Sequence, residues 1–320
     1  YDAVTEELLI KPRYYTITDQ AMLQNLPVYL KAGVSSLVYV VANTGYDNWA
    51  NDGTDASWQR FKNLEQLKKQ TLPTAFPLRS IDKVSIPMAG ASEEVEVTAG
   101  ITVTVPVTRM YAKLKVKVVM LKLGMELNNV NVRQIPNICQ VETFAGNGAG
   151  EPMNAIPFPD GTTFSSIAFA ASDLEKNEDK EWAVFYVPEN LQGEIETLGG
   201  SKSDVAPSDA LVVDVTTEID GERYLYAAYP GGNSLNNFNI QRNQVYRMTL
   251  TITGEKGQNN PSSNCFVVKP NGFLSFEPYY RVETGGGYNF ADYLSPHDEN
   301  LKIARVGIIW QTKDCIGNNT

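Results

Sequence analysis

The sequence predicts an all-β protein built from sandwich modules, and three observations carry that expectation. Two long segments, Arg109 to Val119 and Gln244 to Thr253, alternate strictly with a period of two. In the first, Met110, Ala112, Leu114, Val116 and Val118 share one face, and Tyr111, Lys113, Lys115 and Lys117 share the other. In the second, Tyr246, Met248, Leu250 and Ile252 oppose Val245, Arg247, Thr249 and Thr251. Such alternation marks a half-buried antiparallel strand. Each long segment is therefore expected at the centre of a sandwich of its own. Between them, short β-branched runs follow one another with turn residues in between, and only one segment carries a helical pattern.

The opening segment holds Tyr14, Tyr15 and Ile17, then Val28, Tyr29 and Leu30. After a turn at Lys31 to Gly33, the apolar run Leu37 to Ala42 predicts a strand covered on both faces. Asn43 to Thr54 is a polar turn region. From Asp55, a natural helix cap, Trp58, Phe61, Leu64 and Leu67 repeat at helical spacing until Pro73, which predicts one amphipathic helix packed on a sheet. Strands are expected at Val84 to Met88, Glu93 to Thr98 and Ile101 to Val107, feeding the first long strand, and a short one at Asn129 to Val132. Phe144 to Gly150, followed by Pro152, Pro157 and Pro159, reads as a linker. A second module carries strands at Trp182 to Val187, Leu211 to Thr216 and Arg223 to Tyr229, and closes with the second long strand. Gly254 to Ser263 is a second linker, and Cys265 to Val268, Phe273 to Phe276 and Ile303 to Trp310 are strand-like. The expected modules are residues 1–153, 154–257 and a partial one at 258–320.

A chain of 320 residues, 42% hydrophobic and 20% charged, has the composition of an ordinary globular protein of two or three domains. Its 27 basic and 37 acidic residues leave a net charge of −10, which argues against a nucleic-acid partner. Lys113, Lys115 and Lys117 read as the solvated face of a strand, where lysine discourages stray edge pairing, rather than as an anion site. No stretch reaches the roughly 18 apolar residues of a membrane span. Tyr1 opens into an acidic, mixed segment without the features of a signal peptide, so either the chain is cytoplasmic or numbering starts after targeting residues were removed. Cys139, Cys265 and Cys315 have neither zinc nor disulfide spacing and read as isolated buried thiols.

Catalytic chemistry finds little to work with. His297 is the only histidine, set in a polar loop, so a Ser-His-Asp triad is excluded and no metal or cofactor is expected. Asp47 to Asp55 is rich in oxygen ligands, but the calcium-loop register from Asn48 puts Gln59 where the bidentate glutamate belongs. Gly146, Gly148 and Gly150 lack the following helix that a dinucleotide fingerprint needs. Neighbouring acids such as Glu93 with Glu94, or Asp179 with Glu181, point to opposite faces of a strand and do not form a glycosidase pair. Aromatic residues are better binding candidates: Trp49, Tyr14 with Tyr15, Tyr279 with Tyr280, and Tyr288 to Tyr293 sit in or beside loops, where rings stack on sugars or proline-rich segments. Trp58, Trp182 and Trp310 lie on predicted elements and are expected in the core.

Several ordered stretches together resemble the fimbrillin superfamily of Bacteroidales, the subunits of type V pili. They are Lys31 to Gly45 (KAGVSSLVYVVANTG), Ile86 to Gly90 (IPMAG), Val105 to Val116 (VPVTRMYAKLKV), Phe185 to Gly193 (FYVPENLQG) and Phe238 to Gly254 (FNIQRNQVYRMTLTITG). The resemblance implies tandem transthyretin-like β-sandwiches, a short helix in the first, and a subunit exported as a lipoprotein to the outer membrane. It also implies cleavage after an early basic residue, Lys11 or Arg13, and assembly with other fimbrial subunits at the cell surface by strand exchange. A lipid anchor would be the membrane link, and no lipid-attachment cysteine stands in this chain. The continuation through Asn264 to Phe276 and Ile303 to Cys315 resembles accessory members with a further C-terminal domain and suits a tip or accessory position. The expectation is a non-enzymatic structural or adhesive subunit, with a host or bacterial surface protein or glycan as a further partner. The alternative is a surface glycan-binding lipoprotein that does not polymerise and uses Trp49 and the tyrosine-rich tail.

Overall fold

Backbone pairing realises the alternation of the sequence as two sheets packed face to face, with a smaller N-terminal assembly at one end. The computed structural model describes residues 1–17, 26–44, 61–73, 78–82, 85–142, 154–177, 180–196, 202–233, 235–252 and 262–268. All of these belong to one compact unit, Tyr1–Tyr279, and the second unit, Tyr280–Thr320, lies outside the described residues. The strands are β1 (Ser35–Ser36), β2 (Tyr39–Ala42), β3 (Thr71–Pro73), β4 (Leu78–Arg79), β5 (Met88–Ala91), β6 (Val95–Glu96), β7 (Thr108–Arg109), β8 (Tyr111–Met120) and β9 (Glu126–Pro136). They continue as β10 (Ile138–Gln140), β11 (Phe164–Ala170), β12 (Ala183–Pro188), β13 (Asn190–Glu194), β14 (Val212–Ile219), β15 (Glu222–Ala228), β16 (Asn237–Ile240), β17 (Val245–Ile252) and β18 (Ser262–Val268). Two short helices, α1 (Leu64–Lys68) and α2 (Ala171–Leu174), complete a fold that is all-β in class.

One sheet of the sandwich has the order β18-β17-β8-β12-β4 and the other β11-β9-β14-β15. The alternation of both long segments is realised. Ala112, Leu114 and Val116 of β8 and Tyr246, Met248, Leu250 and Ile252 of β17 are all at most 1% exposed, and their core cluster includes Val130 and Val132 of β9 and Val213 and Val215 of β14. The expectation that each long segment centres its own sandwich is corrected. β8 and β17 are parallel neighbours in a single sheet, with Val245 beside Lys113 and Ile252 beside Met120. Alternation reports which face of a strand is buried, not which strand lies beside it. Strands from both sides of residue 153 therefore share both sheets.

The N-terminal assembly consists of the sheet β2-β5-β7 and the pairs β1-β6 and β3-β10. Its helix is shorter than the spacing predicts. α1 starts after Asn63, whose side-chain oxygen caps Gln66 N–H at 2.8 Å, and Thr71–Pro73 pairs as a strand instead of ending a helix. Phe61, Leu64 and Leu67 are buried as expected and pack against Tyr1, Leu37, Tyr39 and Val41. The run at β2 is only half-buried, not covered on both faces.

Several strands differ from their predicted limits. β9 runs eleven residues where only Asn129 to Val132 was expected, because its outward asparagines and a shift in register against β14 break the alternation. β11, β13 and β16 carry serine, asparagine and glutamine and give no apolar period. Buried amides hold the last two: Asn239 Oδ1 accepts from Gly193 N–H at 2.7 Å, and Asn190 donates to the carbonyl of Asp209 at 2.8 Å.

Candidate functional site

The N-terminal assembly leaves β structure unfinished. Ile101 to Val107 reads as a strand by its alternation, yet among the described residues it joins no sheet, and its one backbone bond outside strands to another described residue is from Ile101 N–H to Thr98 at 3.3 Å. Val103 and Val105 are half-buried while Ile101 and Val107 stay exposed, so the segment lies along the assembly without closing it. Its place is fixed by Gly90 of β5, where a Cβ would come within 1.9 Å of the Pro106 carbonyl oxygen. Only glycine admits so close a backbone approach. Among the described residues, seven of the eleven exposed large hydrophobic side chains precede β8 in the chain, and Ile101 and Val107 of this segment are two of them. Unpaired backbone beside exposed apolar side chains is the arrangement that an added strand satisfies. The alternation made Ile101 to Val107 look like an ordinary strand, and nothing in its sequence announced that a partner is missing.

Elsewhere the lysine row departs from expectation. Instead of standing in solvent, Lys113 Nζ lies 5.7 Å from the centroid of Tyr186 and Lys115 Nζ 4.9 Å from that of Trp182. Lys117 Nζ is 2.6 Å from the Glu181 carboxylate. Trp182, expected in the core, is half-buried on the outer face of the sheet beneath Lys115. It directly precedes β12, and the register that turns Ala183 inward turns it outward.

One buried cluster resembles a catalytic arrangement and is fully occupied with structure. Arg242 Nε forms an ion pair with Glu189 at 3.4 Å, and its guanidinium donates to the carbonyls of Val141 at 2.7 Å and Gln140 at 2.8 Å. Glu189 in turn accepts from the Arg242 backbone N–H at 3.1 Å. Burial raises the Glu189 carboxyl above its ordinary pKa, partly offset by Arg242. Burial likewise pushes the neighbouring Cys139 thiol up to about 11, so it is not a nucleophile at neutral pH. The cluster ties the start of β17 to the N-terminal assembly. Beside it an open hollow of about 460 Å³ is lined by Gln140 and by Ala155 to Pro159.

Of the residues singled out in the sequence, Lys11 and Arg13 are exposed in a segment without regular structure, and the Arg13 guanidinium lies 5.3 Å from the centroid of the Tyr29 ring. Trp49, Tyr279 and Tyr280 lie outside the described residues, as do Trp58, Trp310, His297, the acidic stretch Asp47 to Asp55 and the glycines of Phe144 to Gly150. The described residues bring together Gly90 with Pro106, and Lys115 with Trp182.

Residues 185–250 match a family model described as a domain of unknown function, DUF4906. No curated protein sequence matches the chain. Among solved structures, the chain is similar to a candidate cell adhesion protein from Parabacteroides distasonis, with 14% identity over 74% of this chain and 75% of that one, at a TM-score of 0.44. It is also similar to the C-terminally truncated tip fimbrial protein Mfa3 of Porphyromonas gingivalis, with 15% identity over 71% and 78% of the two chains and a TM-score of 0.40. A fimbrilin, FimA, of the same organism is 16% identical over 73% and 80%, with a TM-score of 0.38.

Proposed function

We propose that this chain is a non-enzymatic structural or adhesive subunit of cell-surface fimbriae that joins its neighbours by strand exchange. The observation that carries the reading is Ile101 to Val107, an alternating β segment that belongs to no sheet and approaches β5 at Gly90. A neighbouring subunit's extended segment lying along it gains main-chain hydrogen bonds and covers apolar side chains that are otherwise exposed. Pro106 lacks a backbone donor, which suits an edge position and limits pairing to one side. The ordered sequence resemblance to fimbrillins supports the same assignment, and the chain beyond Gly254 supports a tip or accessory position over the repeating shaft. Exposure of Lys11 and Arg13 suits processing after an early basic residue, and an outer-membrane lipoprotein precursor is the source this reading implies.

The test is uptake of a donor strand. A peptide copying the C-terminal strand of a fimbrial shaft subunit is expected to bind the purified chain and raise its thermal midpoint. Val103→Lys combined with Val105→Lys should abolish the rise while leaving the unliganded midpoint close to that of the wild type. Absence of binding and of any shift sinks the reading.

A further inference from the structure

We propose that β11 pairs with β11 of a second copy of this chain, antiparallel and about a two-fold axis at Ser166, so that two four-stranded sheets join into one. β11 is an edge, with β9 as its one sheet neighbour among the described residues. Two hydrogen bonds fix which way its backbone faces. The Thr163 carbonyl turns toward the β9 side, where it accepts from Asn137 N–H at 2.9 Å just past the end of that strand, and Ala170 N–H turns the other way, to the Asp173 carboxylate. Backbone groups alternate along a strand, so those of Phe164, Ser166 and Ala168 point away from β9. Among the described residues none of these groups has a hydrogen-bond partner. Edge strands are ordinarily guarded by charge, proline or brevity. β15 carries Glu222 and Arg223 and β4 has two residues, whereas β11 (FSSIAFA) has seven and none of these guards, in a chain with 20% charged residues. Inward Phe169 and Ile167 already pack in the core, so the edge presents backbone and no empty side-chain position for a foreign segment. A strand that meets its own equivalent must carry no charge at the axis, and outward Ser166 and Ala168 are neutral, small and exposed. With Ser166 opposite its equivalent, Phe164 faces Ala168 and Ala168 faces Phe164, so all three residues exchange both bonds with their opposites. Centring on Ile167 instead sets Phe164 opposite Ala170, whose N–H is already taken.

The contact goes beyond the strand-exchange reading and uses a strand other than Ile101 to Val107. Sedimentation of the purified chain over a concentration series tests it, and the wild type is expected to pass from monomer to dimer. Pairing through one strand is small beside a standard interface, so the dimer is weak and the transition falls at high concentration. Ser166→Lys and Ser166→Glu each set like charges across the axis and should weaken dimerisation by about tenfold or more. Their thermal midpoints should stay close to that of the wild type, because Ser166 is exposed. An equal mixture of the two variants sets lysine against glutamate and should dimerise at least as well as the wild type. The same charge placed at exposed Ser208, outside β11, should leave dimerisation unchanged. A monomer at every concentration, single Ser166 variants that dimerise like the wild type, an equal loss in the Ser208 variant, or a mixture that stays monomeric overturns the proposal. Ser166→Lys should still take up the donor-strand peptide. Loss of that uptake would put the donor strand on this edge and overturn the proposal as well, whereas a dimer that takes up no peptide would refute the assembly reading alone.

Discussion

Arg242 is 15% exposed at its side chain and Glu189 8%, so each neutralises a charge that water barely reaches. Removing one partner of such a pair leaves the other uncompensated, which is more damaging than the net worth of the pair. Arg242→Met also frees the carbonyls of Gln140 and Val141, and it is expected to lower stability by about 3–5 kcal/mol in denaturant titrations. The pH dependence has a definite sign. Because burial raises the Glu189 pKa above its ordinary 4.5, the folded chain holds that proton more tightly than the unfolded one. From 4.5 up to the raised value the native state binds more protons, so the Glu189 contribution to stability is greatest below this window and declines as pH rises through it. Glu189→Gln should flatten that decline in urea midpoints measured across the window, and an unchanged slope would show the carboxyl to be ordinary. Neither residue stands out in the sequence, where FYVPENLQG and FNIQRNQ carry no pattern that singles out Glu189 or Arg242. Their proximity depends on tertiary placement that no local pattern encodes.

Elements differ in how openly the sequence states them. β8 and β17 are legible because one face is apolar at every second residue, and the helix at Leu64 and Leu67 because its two buried leucines repeat at helical spacing. β13 and β16 are not, since their burial rests on amide side chains that satisfy the backbone, and composition alone assigns such residues to loops. The candidate site shows the same limit from the other side. Ile101 to Val107 has the signature of a strand, but a period of two describes what a segment prefers, not whether a neighbour exists. Gly90 is where that segment depends on its support. Gly90→Val should force Pro106 away from β5, costing about 1–3 kcal/mol as an overpacked contact. Donor-peptide binding should weaken with it, read by calorimetry on both transitions. Stability retained together with full peptide uptake would mean that the approach of the two backbones is incidental.

At the scale of the whole molecule, the sandwich interleaves distant parts of the chain. β8 lies between β17 and β12, and β9 between β11 and β14, so residues 111–136 are held on both sides by strands that follow residue 153. A division at 153/154, as composition suggests, thus separates strands that share one core. The expected behaviour after a single cut at an engineered protease site between residues 146 and 150 follows from this. The two fragments should migrate together in size exclusion and part only in denaturant. Separation under native conditions would restore independent tandem modules.

The parallel match of β8 with β17 also governs timing. During synthesis Lys113 leaves the ribosome long before Val245, so the first long strand has β12 as its only neighbour of the later chain until β17 has been made. Contacts this distant in sequence form slowly, and until then an apolar strand face waits uncovered. The sheet therefore locks only when its later strands arrive.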